Sequence, residues 1–264
     1  TLFRERLGLH LHFAKRPTLQ QMFFAKDIIN QGVFSPDDRW IALIANDQTV
    51  QVYEAATGKP VSPLLKAGRE HVSFTADGKS LLIVNETKAQ FWDTTTWKPR
   101  GQAMVHAGPI RGIKISPDGK LVATASLDGT VRLWSSVDGK PVGQPMKHPH
   151  PVNDVAFRPD GKVLACVTGK TDIKGQLRLW SVESQQPVGE TITFPDYALL
   201  VTFNPQGDLV AGASFDGTVL LGDGSTGAIK KTKFKAGQLP RQILFDPKGK
   251  TIATASQDMF VPIW

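Results

Sequence analysis

The sequence contains almost none of the features that stabilise secreted proteins or carry a chain through a membrane. Cys166 is the one cysteine among 264 residues, so no internal disulfide can form, and we expect a reducing compartment. No apolar run reaches the roughly 18 residues that a membrane-spanning helix needs. Residues 1–20 lack the charged-then-apolar order of a secretory signal peptide. We therefore predict a cytoplasmic protein with no membrane partner.

Amphipathic runs at helical spacing are also missing, which argues against a helical fold. Instead, 24 glycines and 18 prolines are spread along the chain, a distribution that favours many short elements joined by turns. The net charge of +7 is partly local, because residues 230–250 carry seven basic residues and one acidic residue. Alternating lysines in this segment are typical of an exposed edge strand, and we prefer that interpretation to a nucleic-acid-binding patch.

A turn of the form Pro-Asp-Gly-Lys recurs along the chain at intervals of 40 to 46 residues. About fifteen residues after each turn comes an apolar run that ends in Trp or Tyr in five of the six copies. Such a period is typical of repeat architectures built from one supersecondary unit. The turns read SPDDRW, TADGKS, SPDGKL, RPDGKV, NPQGDL and DPKGKT, and the aromatic residues are Tyr53, Trp92, Trp134, Trp180 and Trp264.

Residues 222–227 have the spacing Gly-x-Gly-x-x-Gly, which in isolation suggests a dinucleotide-binding loop. In the repeat register, however, Gly222 occupies the position of the aromatic residue. Gly227 matches Gly58 and Gly139 in the turns of other copies, and the next segment has the lysine alternation of a strand. We therefore predict no phosphate loop and no cofactor.

Each period divides into four strand-like runs separated by turn sequences; in the third copy the runs are IRGIKIS, LVATAS, TVRLW and PVGQPM. Four antiparallel strands in 40–45 residues are the spacing of a β-propeller blade. The stretch HAGPIRGIKISPDGKLVATASLDGTVRLW resembles a WD40 repeat, and the resemblance covers nearly the whole chain. The predicted fold class is therefore all-β, a WD40-type β-propeller of four-stranded antiparallel blades with six repeats covered.

The WD40 resemblance implies that strands a to d run outward from a central channel, with the b–c turn and the d–a loop on the top face. It also implies a hydrogen-bonded tetrad in a blade, formed by a His, a Ser or Thr, an Asp and a Trp. The third copy matches this tetrad completely at His106, Thr124, Asp128 and Trp134.

Other copies depart from the tetrad pattern. The fourth keeps His148 and Trp180, but TGKTDIKGQ lengthens its b–c turn. The fifth keeps Asp216 and has Gly222 in place of Trp. Cys166, in strand b of the fourth copy, is interpreted as a small buried hydrophobic residue.

The two ends of the sequence raise the question of ring closure. Residues 1–24 are predicted to form strands c and d of an incomplete blade, and residues 25–264 the propeller blades, of which the last lacks its outer strand. Because a propeller must close to remove its exposed edges, we favour part of a seven-bladed ring. The alternative is a six-bladed ring in which TLQQMFF completes the last blade.

No catalytic set of nucleophile, base and acid stands out, and we predict neither catalytic nor metal-binding residues. The pairs His10-x-His12 and His148-x-His150 could each offer two ligands, but the His10 pair has no Cys or acidic partner nearby, and His148 is explained as the d–a loop histidine. Trp97, in a c–d turn where other copies have Gly, is expected to be exposed.

We predict a non-catalytic, monomeric interaction scaffold that binds a protein or peptide on its top face. GKPVGQPMKHPHPVNDVAFRPDGK resembles repeats of large bacterial multidomain proteins, often linked to a Ser/Thr kinase, which would make the propeller a regulatory part of a signalling protein. The alternatives are a propeller enzyme (hydrolase or oxidoreductase) with its site at the central channel and, less expected, a nucleic-acid binder. Leu127 and Phe215 could instead pack on neighbouring blades. The predicted partner-binding residues are Glu70, Arg111, Leu127, Asn153, Tyr197, Phe215, Arg241 and Gln257.

Overall fold

The computed structural model describes residues 27–68, 71–257 and 262–263, in which every regular element is a β-strand. A helix long and apolar enough to cross a membrane does not occur in these ranges. Several predictions lie outside the described residues: the strands of residues 1–24, the His10 and His12 pair, Glu70 and Trp264.

Five four-stranded antiparallel sheets follow one another along the chain, and in each the strands are paired in chain order. We call them blades 1 to 5 and name their strands a to d. Blade 1 contains β1 (Ile29–Phe34), β2 (Trp40–Ala45), β3 (Thr49–Glu54) and β4 (Leu65–Lys66), and blade 2 contains β5 (Val72–Phe74), β6 (Ser80–Asn85), β7 (Lys88–Asp93) and β8 (Pro99–Val105). Blade 3 contains β9 (Ile110–Ile115), β10 (Leu121–Ser126), β11 (Thr130–Ser135) and β12 (Pro141–Lys147). Blade 4 contains β13 (Val152–Phe157), β14 (Val163–Lys170), β15 (Ile173–Ser181) and β16 (Pro187–Thr193), and blade 5 contains β17 (Ala198–Phe203), β18 (Leu209–Ser214), β19 (Thr218–Asp223) and β20 (Ile229–Lys235).

Blade 6 has two described strands, β21 (Pro240–Phe245) and β22 (Ile252–Ser256), and Ile263 forms an antiparallel bridge to Ala253. The predicted fold class, all-β with four-stranded antiparallel propeller blades, is confirmed.

The hydrophobic core lies between blades rather than within them. Buried apolar side chains form five clusters, and each cluster combines two consecutive blades. Between blades 3 and 4, for example, Leu133 and Met146 pack with Leu164 and Trp180. Successive side chains of a strand point to opposite faces of the sheet. Each blade therefore contributes one apolar face to the cluster before it and the other to the cluster after it.

The a–b turn of each blade is closed by side chains that the repeated sequence supplies. In blade 3, Ser116 Oγ donates a hydrogen bond to Asp118 Oδ1 (2.6 Å) and accepts one from Leu121 N–H (2.9 Å). Gly119 has φ of 72°, a left-handed conformation that favours glycine. Sequence and turn geometry therefore agree, which explains why this turn marks every copy.

The Gly-x-Gly-x-x-Gly stretch is a strand and a turn. Gly222 lies in β19, and β20 follows within a few residues. Gly227 has φ of 68°, as Gly58 (69°) and Gly139 (72°) have in the same turn of other blades. The prediction that a strand follows the motif is confirmed.

Trp97 is not exposed, and that expectation was wrong. Its ring is half-buried, with its centroid 6.1 Å from that of Trp40 in blade 1. In blades 2, 3 and 4 a backbone N–H of strand d donates to the c–d turn of the next blade, as when Gln102 N–H donates to Asp138 O (2.7 Å). Pro63 occupies the donor position in blade 1 and has no N–H, so the aromatic contact replaces that hydrogen bond.

Candidate functional site

The b–c turns and d–a loops form one edge of the blades, which we call the top face. In blade 3, the pairing of Ile110 with Ser126 and of Thr130 with Lys147 places both connections at the same end. The a strands of successive blades adjoin one another, as β9 adjoins β13 and β13 adjoins β17.

Polar side chains of the a strands join neighbouring blades below this face. Asp154 Oδ2 accepts the Val201 N–H of blade 5 at 3.0 Å, and its Oδ1 accepts the Val155 N–H at 2.8 Å. Burial raises the pKa of Asp154 to about 6, and the charge of Lys114 opposes that rise. Asp154 therefore fastens blade 4 to blade 5 through a backbone group.

The same position in strand a serves the same purpose in blade 2. His71 Nε2 lies 2.7 Å from Arg111 O of blade 3, so the ring donates its N–H to that carbonyl. Sequence reasoning missed both contacts, although a polar residue at the same register in several copies was an available signal.

The four tetrad residues of blade 3 form one hydrogen-bonded chain. Trp134 Nε1 donates to Thr124 Oγ1 (2.8 Å), which lies 2.7 Å from His106 Nε2. His106 Nδ1 lies 3.0 Å from Asp128 Oδ2, which also accepts the Ala107 N–H (3.0 Å). The network connects strand c, strand b, the d–a loop and the b–c turn.

The directions of the hydrogen bonds in this network fix the tautomer and the charge of His106. Nδ1–H donates to Asp128, so Nε2 accepts from the Thr124 hydroxyl, which in turn accepts from Trp134. Burial lowers the pKa of His106, although its bond to Asp128 opposes that shift. Burial opposes ionisation of Asp128, but hydrogen bonds from Thr130 and His106 lower its pKa overall. A neutral imidazole and an ionised carboxylate satisfy every partner.

Blade 4 has a weaker version of this network because Cys166 replaces the threonine. Cys166 Sγ lies 3.3 Å from His148 Nε2 and 3.5 Å from Arg178 O. Trp180 Nε1 is buried, and among the described residues its one acceptor is the weak one that the Cys166 sulfur provides, too poorly placed to form a regular hydrogen bond. Burial raises the pKa of Cys166 to about 12, so the thiol stays protonated.

In blade 5, apolar side chains fill the space that the hydrogen-bonded tetrad occupies in blade 3. Phe194 occupies the loop position of the histidine and is 1% exposed. A Cβ on Gly212, at the threonine position, would lie 2.6 Å from Phe194 Cζ. A Cβ on Gly222, at the tryptophan position, would lie 2.5 Å from Ile192 Cδ1. Both glycines are therefore explained by the larger side chains that fill the space.

Two predicted partner-binding residues are brought together on the top face. The rings of Tyr197 and Phe215 are stacked, with centroids 4.8 Å apart and planes inclined by 20°. Both side chains are half-buried, and Phe215 N–H donates to Tyr197 O (2.9 Å). Gly169, near the end of strand b (β14) of blade 4, lies directly against Tyr197.

The other predicted residues are dispersed over the same face. Arg111, Arg241 and Gln257 are exposed, and Leu127 is half-buried. Asn153 uses its amide within the fold, because Nδ2 donates to Gly169 O (3.0 Å) and to Ala198 O (2.7 Å). Its contribution is therefore to hold blades 4 and 5 together.

Groups of three or more His, Cys, Asp or Glu side chains that could hold a metal ion do not occur in the described part of the chain.

Comparisons with known proteins identify the repeat. The family model for the WD domain, G-beta repeat (WD40) matches residues 97–135 and 139–181. Each matched segment runs from strand d of one blade through strand c of the next. Residues 97–135 and 139–181 therefore match WD40 repeats, and the sheets of the chain have the four-stranded antiparallel form of propeller blades.

A curated relative, SEC12-like protein 1 from Arabidopsis thaliana, is 26% identical to this chain over 107 residues. The match covers 37% of this chain and 27% of the relative. The chain thus matches about a quarter of the length of that protein.

Proposed function

We propose that this chain is a non-catalytic interaction scaffold that binds a protein or peptide on its top face. WD40 repeats generally mediate protein interactions, which supports the class of function. The observation that carries the proposal is the stacked, half-buried pair of Tyr197 and Phe215, on the face that also carries Arg111 and Arg241. Aromatic and arginine side chains are the residue types enriched at interface hot spots.

The scaffold is suited to this role because its blades are fastened to one another. Asp154 and Asn153 both bond to backbone groups of blade 5, close to the aromatic pair. A rigid framework lowers the entropy lost on binding, so a small contact area can give useful affinity.

We further propose that the propeller is a cytoplasmic, monomeric, regulatory part of a larger signalling protein. The single cysteine and the style of the linkers between repeats support this context. A bacterial kinase-linked architecture is the version that the linker resemblance favours.

The test of the function is partner capture by purified protein. Substituting Leu127 and Phe215 by Ser should weaken capture by about tenfold or more while the protein remains folded. The matched control is Val137→Ser with Ile229→Ser, which changes exposed apolar residues of the same two blades at the opposite edge.

Three results would separate the possibilities. Loss of capture in the top-face variant alone supports the proposal. Unfolding of that variant identifies Leu127 and Phe215 as inter-blade packing, and unchanged capture places the binding surface elsewhere.

A further inference from the structure

The extended b–c hairpin of blade 4 places two lysines beside the aromatic pair. β14 and β15 pair as far as Lys170 and Ile173, so the hairpin is longer than the tight turn of blade 3. Lys170 and Lys174 are exposed, and each is adjacent in sequence to a glycine that contacts the loop carrying Tyr197.

The base of this hairpin is fixed to that loop. Gly175 N–H donates to Asp196 O (3.0 Å), and Gly169 contacts Tyr197 directly. Asn153 bonds to Gly169 O and adds a third attachment. The backbone at the base of the hairpin, next to the two lysines, is therefore fixed relative to the loop that carries Tyr197.

A third cation lies on the other side of the pair. Phe215 O accepts the Leu239 N–H (2.9 Å), and Arg241 follows two residues later at the start of β21. Leu239 has φ of 52°, an uncommon conformation for leucine, and this hydrogen bond helps to hold it. Arg241 is exposed. The aromatic pair thus lies between two cationic segments.

The carboxylates of this region are mostly engaged within the fold. Asp216 accepts hydrogen bonds from Lys235 (2.8 Å) and Ser214 (2.6 Å). Asp196 Oδ1 accepts the Tyr197 N–H (2.7 Å), and Asp128 is bonded to His106. By contrast, within the described residues Lys170, Lys174 and Arg241 form no ion pair. These three cations can therefore bind an external anion without first breaking an ion pair with any described residue.

Resting on the interaction function proposed above, we propose that the partner is an acidic linear peptide segment. One aromatic or large aliphatic side chain of the segment packs on Tyr197 and Phe215. Asp or Glu residues on either side of it pair with Lys170 and Lys174 and with Arg241. Opposite charges at the rim give such a complex specificity and a fast association rate, while the apolar anchor supplies most of the affinity.

A peptide fits this surface better than a single-stranded nucleic acid does. Proteins that bind single strands present successive aromatic platforms along a basic groove, so that one base after another can stack. The described top face offers one stacked aromatic pair, Tyr197 with Phe215, which suits one anchoring side chain.

The experiment is a selection of random dodecapeptides on the full chain, followed by affinity measurements on the enriched peptides. We expect enrichment of Asp and Glu around a single aromatic or aliphatic residue. Lys170→Glu with Lys174→Glu should weaken these peptides by about tenfold or more, and so should Tyr197→Ser with Phe215→Ser. Asp172→Asn, at the tip of the same hairpin, should leave affinity unchanged or raise it slightly, because it removes the carboxylate between the lysines.

The failure of this inference can be distinguished from the failure of the proposed function. Two results overturn the acidic partner and leave the top-face function intact. In the first, the enriched peptides require Phe215 but lack acidic residues; in the second, their affinity is unchanged by Lys170→Glu with Lys174→Glu. Peptides that bind with no effect of Phe215 or Tyr197 overturn both. Saturable binding of oligo(U) to the same residues, with affinity that falls steeply with salt, overturns the peptide in favour of nucleic acid.

Discussion

Gly169 and Tyr197 touch across the boundary between blades 4 and 5: a Cβ on Gly169 would lie 2.6 Å from Tyr197 Cβ. The equivalent turn position is Leu127 in blade 3 and Phe215 in blade 5. Glycine at this one position leaves room for Tyr197 to stack on Phe215. The missing side chain at Gly169 of blade 4 therefore provides the space in which Tyr197 of blade 5 stacks on Phe215.

Gly169→Ala should accordingly destabilise the protein by about 1–3 kcal/mol and weaken capture of the partner. Gly169 has φ of 134°, so the substitution combines backbone strain with the clash against Tyr197. The control is Gly119→Ala, which has a φ of 72° but no heavy atom within 4 Å of the added Cβ. Urea denaturation of both variants separates the two effects. Equal destabilisation, with capture preserved, would show that the contact with Tyr197 is unimportant.

Removing the ends of the blade 3 tetrad should cost stability in a non-additive way. Asp128→Ala leaves His106 without its acceptor, and Trp134→Ala creates a cavity, so each should destabilise by about 2–5 kcal/mol. Because both residues belong to one hydrogen-bonded chain, the double variant should lose less than the sum of the two. A double-mutant cycle measured by urea denaturation provides the check, and strict additivity would contradict a coupled network.

One substitution at the tetrad position of blade 4 should raise the stability of the protein. Cys166→Thr supplies a hydroxyl that can accept from Trp180 Nε1 better than the weak sulfur acceptor does, and should stabilise the protein by about 0.5–1.5 kcal/mol. The threonine methyl group has a precedent, since Thr124 is 0% exposed at the same position in blade 3.

The reciprocal substitution is the matched control. Thr124→Cys should destabilise blade 3 by a similar amount, because sulfur is a weak acceptor for Trp134 Nε1. If both swaps change the melting temperature in the same direction, packing of the methyl group outweighs the hydrogen bond.

The parts of this fold that could be predicted from sequence are those that depend on nearby residues. The a–b turn is closed by residues that lie within six positions of one another, in blade 3 Ser116, Asp118 and Gly119. The turn can therefore be recognised in the sequence of every copy. The spacing of these turns then gave the strands and the blades.

Contacts between blades were harder to predict because they join residues about 40 to 60 positions apart. Asp154 bonds to Val201 and Trp97 contacts Trp40; the repeated polar register marked the position of Asp154, but nothing in the sequence near either residue identified its partner. Phe194 was missed because its effect is visible only as glycines, Gly212 and Gly222, at positions where other blades have larger residues.

The same limit applies to the candidate site. Register placed Tyr197 and Phe215 on one face, but their stacking depends on Gly169 of another blade. Asn153 is predicted to bind a partner, and in the structure its amide is bonded to backbone groups of blades 4 and 5. Sequence position gives the face on which a residue lies, whereas hydrogen-bond partners decide whether the side chain remains available.

His148 and Asp154 should give stability opposite dependences on pH. Burial, together with the charge of Arg178, lowers the pKa of His148 from 6.5 to about 4. Between these values the unfolded chain binds a proton that the folded chain does not, so His148 reduces stability as the pH falls. Burial raises the pKa of Asp154 from 3.8 to about 6. Between pH 6 and about pH 4 the folded chain binds a proton at Asp154 that the unfolded chain does not, so Asp154 increases stability as the pH falls through this range.

Comparing the protein with His148→Gln and with Asp154→Asn separates these two contributions, since all other groups titrate alike in each comparison. Between pH 7 and pH 4, the free energy of unfolding should fall by about 3 kcal/mol relative to His148→Gln and rise by about 2 kcal/mol relative to Asp154→Asn. Urea denaturation at unit pH intervals measures both differences. The second sign is the more demanding test, because a carboxylate that accepts the N–H groups of Val201 and Val155 gains stability from remaining ionised. If the difference against Asp154→Asn falls with decreasing pH, those hydrogen bonds outweigh burial, and Asp154 joins blades 4 and 5 as an ionised group throughout this range.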